Sequence, residues 1–319
     1  MRRTLRFTLI SAAVLLLLVV AGPLLLPAPA LDNPRSPEEL AGPLGSFVEI
    51  NGLRVYYELY GQGEPLWVLL HGFGASTFSW REVVEPLSEM GTVLVYDRPA
   101  FGLTERPLDW EGQNPYSPQA NRDLLAGLLD HFGREKAVLV GNSAGGTLAV
   151  QAALEFPGRI EALVLVDPAI YTGGGAPSWI RPLLATPQMR RLGPLFVQWA
   201  FSSSERLIGM AWHDPGKINQ EILEGYERPL QLANWQQALW EMTLASRELD
   251  MESMLTEVNM PTLVITGEYD RIVPAEQSIR LAGELPNASL VVIPDCGHLP
   301  QEECPEEFID ALREFVMGL

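Results

Sequence analysis

Residues 137–145 read Ala-Val-Leu-Val-Gly-Asn-Ser-Ala-Gly, and the other assignments in this chain follow from them. The short apolar run predicts a buried strand, and the pattern of residues 144–156 predicts a helix directly after it. Ser143 then occupies a sharp strand-to-helix turn, where Gly141 and Gly145 allow the helix and the strand to approach closely. A G-x-S-x-G string is weak evidence by itself, but this context predicts a nucleophilic serine whose hydroxyl projects from the sheet edge.

Similar apolar runs recur along the chain and alternate with helical patterns. The predicted strands comprise residues 47–50, 53–59, 66–70, 92–96, 137–141, 162–166, 262–266 and 290–293. Asn51-Gly52 predicts a hairpin of the first two strands, and helices between the later strands predict parallel pairing with helices on both faces. The expected fold class is therefore α/β, with an eight-stranded, mostly parallel sheet whose first hairpin forms an antiparallel edge.

The strand pattern stops between residues 169 and 250, a segment with helical patterning and five of the eight tryptophans. Three glycines at residues 173–175 open this segment like a hinge. We expect the segment to form a helical cap over the carboxyl ends of the strands, where ligands bind in open α/β sheets. Most of its tryptophans should pack inside the cap, and one or two should face a pocket. The α/β core would then comprise residues 46–168 and 251–319.

An acid and a base follow two of the late strands. Asp270 comes after residues 262–266, and His298 comes after residues 290–293 in a loop that contains glycine. The carboxyl ends of parallel strands meet at one rim of the sheet, so both side chains should lie near Ser143. The chain order Ser143, Asp270, His298 is one of three orders known for a Ser-His-Asp catalytic set. We expect the serine to attack, the histidine to move the proton and the aspartate to orient the histidine.

His71-Gly72-Phe73-Gly74 follows the predicted strand at residues 66–70. A glycine-rich turn at this place can direct a backbone N–H at a developing oxyanion, and the expected donors are the N–H groups of Phe73 and Ala144. His71 itself is expected to be structural, because the donor needed here is main chain. The chemistry requires no metal or organic cofactor, and the sequence contains no cluster with metal-ligand spacing.

Together these motifs resemble the α/β-hydrolase fold family, in members that carry a cap, and the resemblance covers residues 46–319. The stretch Asp97-Arg98-Pro99-Ala100-Phe101-Gly102 resembles the family's turn after the fourth strand, with Ala100 where glycine is usual. Some members keep the catalytic acid after the sixth strand, which makes Asp167 a second candidate for that role. The resemblance implies a serine hydrolase, although some proteins of this fold have lost the catalytic residues and serve as binding modules.

The residues beside the serine and the histidine narrow the expected chemistry. Ser143 argues against haloalkane dehalogenases and epoxide hydrolases, whose nucleophile at this position is aspartate. Asn142 resembles the carbon–carbon bond hydrolases of aromatic ring-cleavage pathways, whereas Leu299 follows the histidine where those enzymes have tryptophan. Hydrolysis of a carboxylic ester is therefore the main expectation, and carbon–carbon bond cleavage of β-diketone-like substrates is the alternative.

The N-terminus has the composition of a targeting segment. Three arginines within the first six residues precede an apolar run at residues 9–26. As a helix that rises about 1.5 Å per residue, this run is just long enough to span a bilayer. One prediction is a signal-anchor with the basic flank in the cytoplasm, and the other is a signal peptide cleaved after Ala28-Pro29-Ala30. In both cases residues 1–30 target the protein for export, and residues 31–45 form a linker.

Charge and cysteine content limit the partners and the compartment. The 319 residues include 40 acidic and 22 basic side chains, and the net charge of −18 argues against nucleic acid as a partner. The resemblance to hydrolases implies a small-molecule acyl substrate. Residues 251–319 contain 13 acidic and 3 basic residues, which we expect to form a solvated face. Cys296 and Cys304 flank His298, and export permits a disulfide between them, with two free buried thiols as the alternative.

Overall fold

The computed structural model describes residues 2–27, 29–171, 176, 177, 179–246 and 251–318. The three-glycine run and Ala28 of the predicted cleavage site lie outside the described residues. The strands are β1 (Gly45–Ile50), β2 (Leu53–Tyr60), β3 (Leu66–Leu70), β4 (Thr92–Tyr96), β5 (Ala137–Asn142), β6 (Ile160–Val166), β7 (Thr262–Gly267) and β8 (Ala288–Ile293). The helices are α1 (Arg2–Leu25), α2 (Pro37–Leu40), α3 (Val84–Ser88), α4 (Pro118–His131), α5 (Ala144–Glu155), α6 (Arg181–Leu184), α7 (Pro187–Ala200), α8 (Ser204–Ala211), α9 (Gln220–Glu227), α10 (Trp235–Ala245), α11 (Ala275–Glu284), α12 (Pro300–Glu303) and α13 (Pro305–Met317).

The strands of the described residues form one eight-stranded sheet in the order β1-β2-β4-β3-β5-β6-β7-β8. β1 and β2 form an antiparallel hairpin at one edge, and β2 also pairs antiparallel with β4. All the remaining neighbours in this sheet pair in parallel. The expected α/β fold class, with a mostly parallel sheet of eight strands, is therefore confirmed.

Helices cover both faces of the sheet because successive strand side chains point to opposite faces. Val68 and Leu70 of β3 belong to an apolar cluster with residues of α4, α5 and α11. Trp67 and Leu69 belong to a second cluster with residues of α3 and α13. β3, β4, β5 and β7 are buried along their whole length, which explains why their sequences are continuous apolar runs rather than alternating patterns.

Two turns show how local sequence sets the backbone. Asn51 and Gly52 have φ values of 52° and 76°, the positive values that a two-residue hairpin turn of type I′ requires. Ala100, at the position where the sequence resemblance leads us to expect glycine, is buried and has a φ of 77°. The carboxylate of Asp97 supports that turn by accepting a hydrogen bond from the N–H of Leu103 at 2.6 Å. Ala100 therefore adopts a left-handed backbone conformation, which glycine adopts more readily.

α1 is long and apolar enough to cross a membrane, judged by its length and composition alone. Its final turns lie against α7, where Gln188 Nε2 donates a hydrogen bond to the carbonyl of Val20 at 3.0 Å. The segment after α1 is more ordered than the expected linker. Ser36 and Glu39 form a capping box at the start of α2, and Arg35 forms an isolated β-bridge with a residue that precedes α10. The Ser-x-x-Glu pattern is the sequence signal for such a cap.

Helices α6–α10 occupy the chain between β6 and β7. Trp212, Trp235 and Trp240 are buried in this helical layer, where their large apolar area stabilises helices that are individually short. Trp179 and Trp199 are 79% and 76% exposed. No tryptophan is among the described residues that line the cavity at Ser143, so the expectation that one or two of them face this pocket is wrong.

Candidate active site

Ser143 occupies the sharp turn between β5 and α5. Its backbone has φ 53° and ψ −118°, a conformation that is strained for a residue with a Cβ atom. The turn is held because the Ser143 N–H donates to the carbonyl of Val166 at 2.9 Å, and the Ser143 carbonyl accepts the N–H of Ala169 at 3.2 Å. Gly145 permits the close packing of α5, since a Cβ atom there would lie 1.9 Å from the carbonyl oxygen of Leu70.

The imidazole of His298 is oriented by Asp270. His298 Nδ1 donates a hydrogen bond to Asp270 Oδ2 at 2.6 Å, and the two residues are only 4% and 7% exposed. The second carboxylate oxygen, Oδ1, accepts the N–H groups of Ile272 and Val273 at 2.7 and 2.9 Å. These bonds stabilise the charged carboxylate and fix its loop. Because Nδ1 is engaged, His298 Nε2 is the nitrogen that can exchange a proton with a neighbouring group.

Asn142 connects the serine turn to the histidine loop. Its Nδ2 donates hydrogen bonds to the carbonyl of His298 at 3.1 Å and to the carbonyl of Val166 at 3.3 Å. The side chain is buried between these two strand ends. Asn142 therefore braces the relative position of Ser143 and His298, a role that its place in the sequence did not reveal.

Asp167 lies beside this pair and is fully buried. Its Oδ1 accepts hydrogen bonds from Thr266 Oγ1 at 2.6 Å and from the N–H of Gly267 at 3.2 Å. Burial, and secondly the charge of Asp270, raise the pKa of Asp167 well above its usual range. Asp167, Asp270 and His298 offer metal-ligand atoms within 4.8 Å of one another. In this group, hydrogen bonds engage Asp167 Oδ1, Asp270 Oδ2 and His298 Nδ1. Of the two candidate acids, Asp270 is the one that contacts His298.

The turn at residues 71–74 packs directly against the serine turn. A Cβ atom at Gly72 would lie 2.9 Å from Asn142 Oδ1 and 3.3 Å from Ser143 Cβ, so a larger residue here would push against these two side chains. Phe73 lines the same cavity as Ser143. Ala144 is the first residue of α5, and the first N–H groups of a helix have no partner within it. Both proposed oxyanion donors, Phe73 and Ala144, thus belong to segments that meet at Ser143.

His71 holds this turn in place through hydrogen bonds to backbone atoms. The residue is fully buried, its Nδ1 hydrogen-bonds to the carbonyl of Gly72 at 2.8 Å, and its Nε2 accepts the N–H of Arg98 at 3.1 Å. Burial, followed by the nearby charge of Arg98, lowers the pKa of His71 well below its usual value. Both ring nitrogens of the neutral imidazole are therefore engaged with the backbone.

Ser143 and His298 line one cavity of about 510 Å³. The wall is mainly aliphatic and aromatic, and much of it comes from Val197, Phe201, Leu207, Ile208, Leu230 and Ile272. None of the described lining residues is Lys, Arg, Asp or Glu. Such a lining accommodates uncharged, apolar groups, with the polar chemistry confined to the end that holds the serine and the histidine.

Glu303 joins the helical layer to the histidine loop. Its buried carboxylate accepts the N–H groups of His213 at 2.9 Å and Gly297 at 2.8 Å. The N–H of His298 donates to the carbonyl of Ala211, the last residue of α8, at 2.7 Å. The position of His298 therefore depends on the helices between β6 and β7 as well as on the sheet.

The acidic run near the C-terminus is not uniformly solvated, which corrects the sequence-based expectation. Glu302 and Glu303 are both 5% exposed. Arg81 pairs with Glu302 at 2.6 Å, and the hydroxyl of Tyr226 donates to the same carboxylate. Burial raises the pKa of Glu302, although Arg81 opposes this shift. Nothing in the local pattern separates these two acids from exposed neighbours such as Glu306, because their burial depends on contacts with distant segments.

Cys296 and Cys304 form a disulfide, with their Cα atoms 6.3 Å apart. The sequence left this pairing open, since the separation of the two Cα atoms could not be deduced from the spacing. The bridge encloses the His298 loop and the short helix α12, and both cysteines are buried. A cross-link at this place restrains the loop that carries the base.

Replacing both cysteines with alanine is expected to lower the free energy of unfolding by about 2.5 kcal/mol, the loop-closure value for a bridge of this separation. The measurement is urea denaturation of the wild type, of the double variant, and of wild type treated with a reductant. The reduced wild type should match the variant. Two titratable thiols in denatured, unreduced protein would contradict the bridge.

The fold and the site geometry define the class to which this protein belongs, the hydrolases of the α/β fold. A model of the alpha/beta hydrolase fold matches residues 65–305, and the chain belongs to this family. The protein is therefore an enzyme that hydrolyses its substrate.

Three comparisons describe its relatives. An uncharacterized hydrolase of Bacillus subtilis (strain 168), YugF, is 32% identical over 87% of this chain and 99% of its own length. A 2-hydroxy-6-oxononadienedioate/2-hydroxy-6-oxononatrienedioate hydrolase of Burkholderia vietnamiensis (strain G4 / LMG 22486) is 31% identical over 83% of this chain and 91% of its own. Among solved structures, a mutant of the meta-cleavage product hydrolase CumD has a TM-score of 0.70 and 25% identity, over 86% of this chain and 99% of that one.

Proposed function

We propose that this chain is a serine hydrolase in which Ser143 attacks a carbonyl carbon of the substrate. The observation that carries the proposal is that Ser143 shares a cavity with His298, whose Nδ1 hydrogen-bonds to the buried carboxylate of Asp270. His298 Nε2 accepts the proton of the Ser143 hydroxyl, and Asp270 holds the imidazole and stabilises its charged form.

The later steps use the same groups. The N–H groups of Phe73 and Ala144 stabilise the negative charge that develops on the carbonyl oxygen. His298 then gives its proton to the leaving group, which departs and leaves an acyl group on Ser143. Finally His298 activates a water molecule that hydrolyses this acyl-enzyme, so that side chains of this chain and water complete the cycle.

The named relatives favour carbon–carbon bond hydrolysis, the alternative of the sequence analysis, over ester hydrolysis. Several curated relatives are named for 2-hydroxy-6-oxo acids, and one similar solved structure is a meta-cleavage product hydrolase. A substrate of this kind has a ketone carbonyl that a serine can attack, and the carbon that leaves takes its proton from the histidine. The names of the relatives therefore make this reaction one candidate for the bond that the enzyme breaks.

Ester hydrolysis is the other candidate. The apolar lining of the cavity favours an uncharged ester over a substrate that carries carboxylates. A nonadienedioate carries two carboxylates, and burying a carboxylate without a cationic partner is costly. His298 is the one basic side chain among the described lining residues, and Asp270 already pairs with it. An uncharged acyl chain enters such a cavity without this cost and gains from the burial of apolar surface.

A comparison of two substrates separates these candidates. The full chain is assayed with 2-hydroxy-6-oxo-6-phenylhexa-2,4-dienoate and with 4-nitrophenyl hexanoate. We expect kcat/KM for the ester to exceed that for the dienoate by about tenfold or more. This factor corresponds to a cost of about 1.4 kcal/mol for burying the carboxylate of the dienoate without a cationic partner. The opposite preference would establish carbon–carbon bond cleavage. Failure of both substrates, together with no reaction of Ser143 with an acylating or phosphonylating probe, would overturn the serine hydrolase.

We also propose how the chain is organised and placed. Residues 46–168 and 251–319 form the catalytic core, and residues 169–250 form a cap over Ser143. Residues 1–30 act as a signal-anchor that leaves the catalytic core outside the cytoplasm, with secretion after cleavage near Ala30 as the alternative. The disulfide supports an exported location, because such bonds persist in oxidising compartments.

A further inference from the structure

The helices between β6 and β7 expose large apolar side chains on neighbouring surfaces. Leu195, Phe196 and Trp199 are 36%, 56% and 76% exposed, and their spacing places them on one side of α7. Trp179, two residues before α6, is 79% exposed, and Leu183 in α6 is 58% exposed. α6 packs against α7. We call these five residues the cap face. Exposed apolar surface of this kind marks a site of interaction.

The apolar helix α1 ends beside the cap face. Its last turns contact α7, where Gln188 bonds to the carbonyl of Val20, while residues 21–23 are half-buried. Trp199 lies 11 residues beyond Gln188, or about 16 Å along α7. If α1 spans a bilayer, its C-terminal end lies at the membrane surface, and its contact with α7 brings the helix that carries three of the cap-face residues close to that surface.

The charge near the cap face suits a lipid surface. The protein has a net charge of −18, yet residues 168–206 contain four arginines and one acidic residue. Arg190, Arg191 and Arg206 are exposed, and Arg190 also pairs with Glu241 at 2.8 Å. Tryptophan beside arginine is typical of surfaces that lie in the headgroup region, where anionic phosphates attract the basic side chains. A second copy of this chain is a poorer occupant, because two strongly acidic proteins repel each other.

The cap face continues into the cavity at Ser143. Phe196 belongs to the cap face and also lines the cavity. Phe73 and Leu207 line the cavity as well and are 56% and 41% exposed, so they stand at its mouth. An apolar path therefore leads from the exposed surface of α7 to the candidate nucleophile.

We propose that the cap face docks on the bilayer that holds α1, and that the substrate is an acyl ester lipid that enters the cavity from that bilayer. The proposal rests on the serine hydrolase proposed above and adds the class and the source of the substrate. Ser143 Oγ forms a bond to the acyl carbon, the C–O bond of the lipid ester breaks, and the leaving alcohol takes a proton from His298. Water then cleaves the acyl-enzyme and releases the free acid.

The docking step is tested without catalysis. Full-length Ser143→Ala is reconstituted in vesicles of phosphatidylcholine and phosphatidylglycerol whose acyl chains carry bromine, a quencher of tryptophan fluorescence. Residues 1–30 contain no tryptophan, so α1 itself contributes no signal. Adding Trp179→Phe and Trp199→Phe is expected to reduce the quenched fraction by about twofold or more, since tryptophans docked at the bilayer surface are those the quencher reaches. The matched control adds Trp235→Phe and Trp240→Phe, which are buried, and should keep the quenching.

The access step is tested with active enzyme. Full-length Trp179→Ser/Trp199→Ser is assayed on a fluorogenic phospholipid in vesicles and on soluble 4-nitrophenyl hexanoate. The rate on the vesicle lipid is expected to fall about tenfold, while the rate on the soluble ester stays within about twofold, because only the first reaction needs interfacial docking. Ile279→Ser/Met317→Ser, which replaces exposed apolar residues of α11 and α13, should alter neither rate.

Unchanged quenching in the Trp179→Phe/Trp199→Phe variant would overturn the docking surface. The same conclusion would follow if these substitutions abolished self-association of the protein in detergent and left the quenching unchanged. Hydrolysis of the soluble ester without any hydrolysis of the vesicle lipid would overturn the lipid substrate and leave the serine hydrolase standing. If neither ester reacts and Ser143 remains unlabelled by a phosphonate, the serine hydrolase itself fails.

Discussion

Replacing Ser143 with alanine is expected to lower kcat by about 10³- to 10⁶-fold, because the nucleophile, the base and its orienting acid act as one unit. The free energy of unfolding should change little, since alanine retains the Cβ atom and the backbone bonds that hold the strained turn. His298→Ala should produce a loss of similar size for the same reason. The measurement is steady-state turnover on whichever substrate gives the higher kcat/KM, with urea denaturation as the test of folding.

Chemical labelling supplies the control for this prediction. A fluorophosphonate should modify the wild type once per chain, at Ser143, and should leave Ser143→Ala unmodified. Ser204 lines the same cavity and provides the matched serine, so Ser204→Ala should still be labelled. Wild-type turnover by Ser143→Ala, or labelling at another serine, would require the mechanism to be abandoned.

Asp270→Asn is expected to lower kcat by about 10³- to 10⁴-fold. The amide can present a donor to His298 Nδ1, which favours the wrong tautomer, and it no longer stabilises the charged imidazole. The two backbone N–H groups that bond to Oδ1 of Asp270 would still find an acceptor if the amide oxygen occupies that position. The loss should therefore appear in kcat rather than in stability.

Asp167→Asn is the matched control for Asp270→Asn, because both positions carry buried carboxyl groups of the same size. Burial and the charge of Asp270 raise the pKa of Asp167, so its carboxyl group favours the neutral form that an amide imitates. We expect this variant to keep kcat within about tenfold of the wild type, a difference of about 1.4 kcal/mol or less. A larger loss in Asp167→Asn than in Asp270→Asn would transfer the role of the acid to Asp167.

Most of the sheet could be predicted from the sequence because buried parallel strands are continuous apolar runs. The expected strand at residues 262–266 corresponds to β7, and the expected hairpin at Asn51-Gly52 corresponds to β1 and β2. The short elements were harder to predict. α2 has only four residues, and α6 and α12 are equally short, so none of them has enough turns to show a helical period.

The candidate site was predictable only in part. Ser143 is conspicuous because the residues that shape its turn are its neighbours along the chain. Asp270 and His298 could be nominated from their places after strands, but the choice between Asp167 and Asp270 depends on which carboxylate reaches the imidazole. Nothing in the local sequence pointed to the structural role of Glu303. The N–H groups that its carboxylate accepts, at residues 213, 214 and 297, come together only in the folded chain.

The fold class, the order of the eight strands, and the residues that could serve as nucleophile, acid and base could all be derived from the amino-acid sequence. These features follow from periodicity and from neighbours within a few residues, which is the range over which side-chain pattern acts on the backbone. Three further features required the folded chain: Asp270 contacts His298, Cys296 pairs with Cys304, and the described part of the cavity wall contains neither lysine nor arginine. Each of these depends on distances between segments far apart in the chain, which the packing of helices on the sheet sets and which no local pattern encodes.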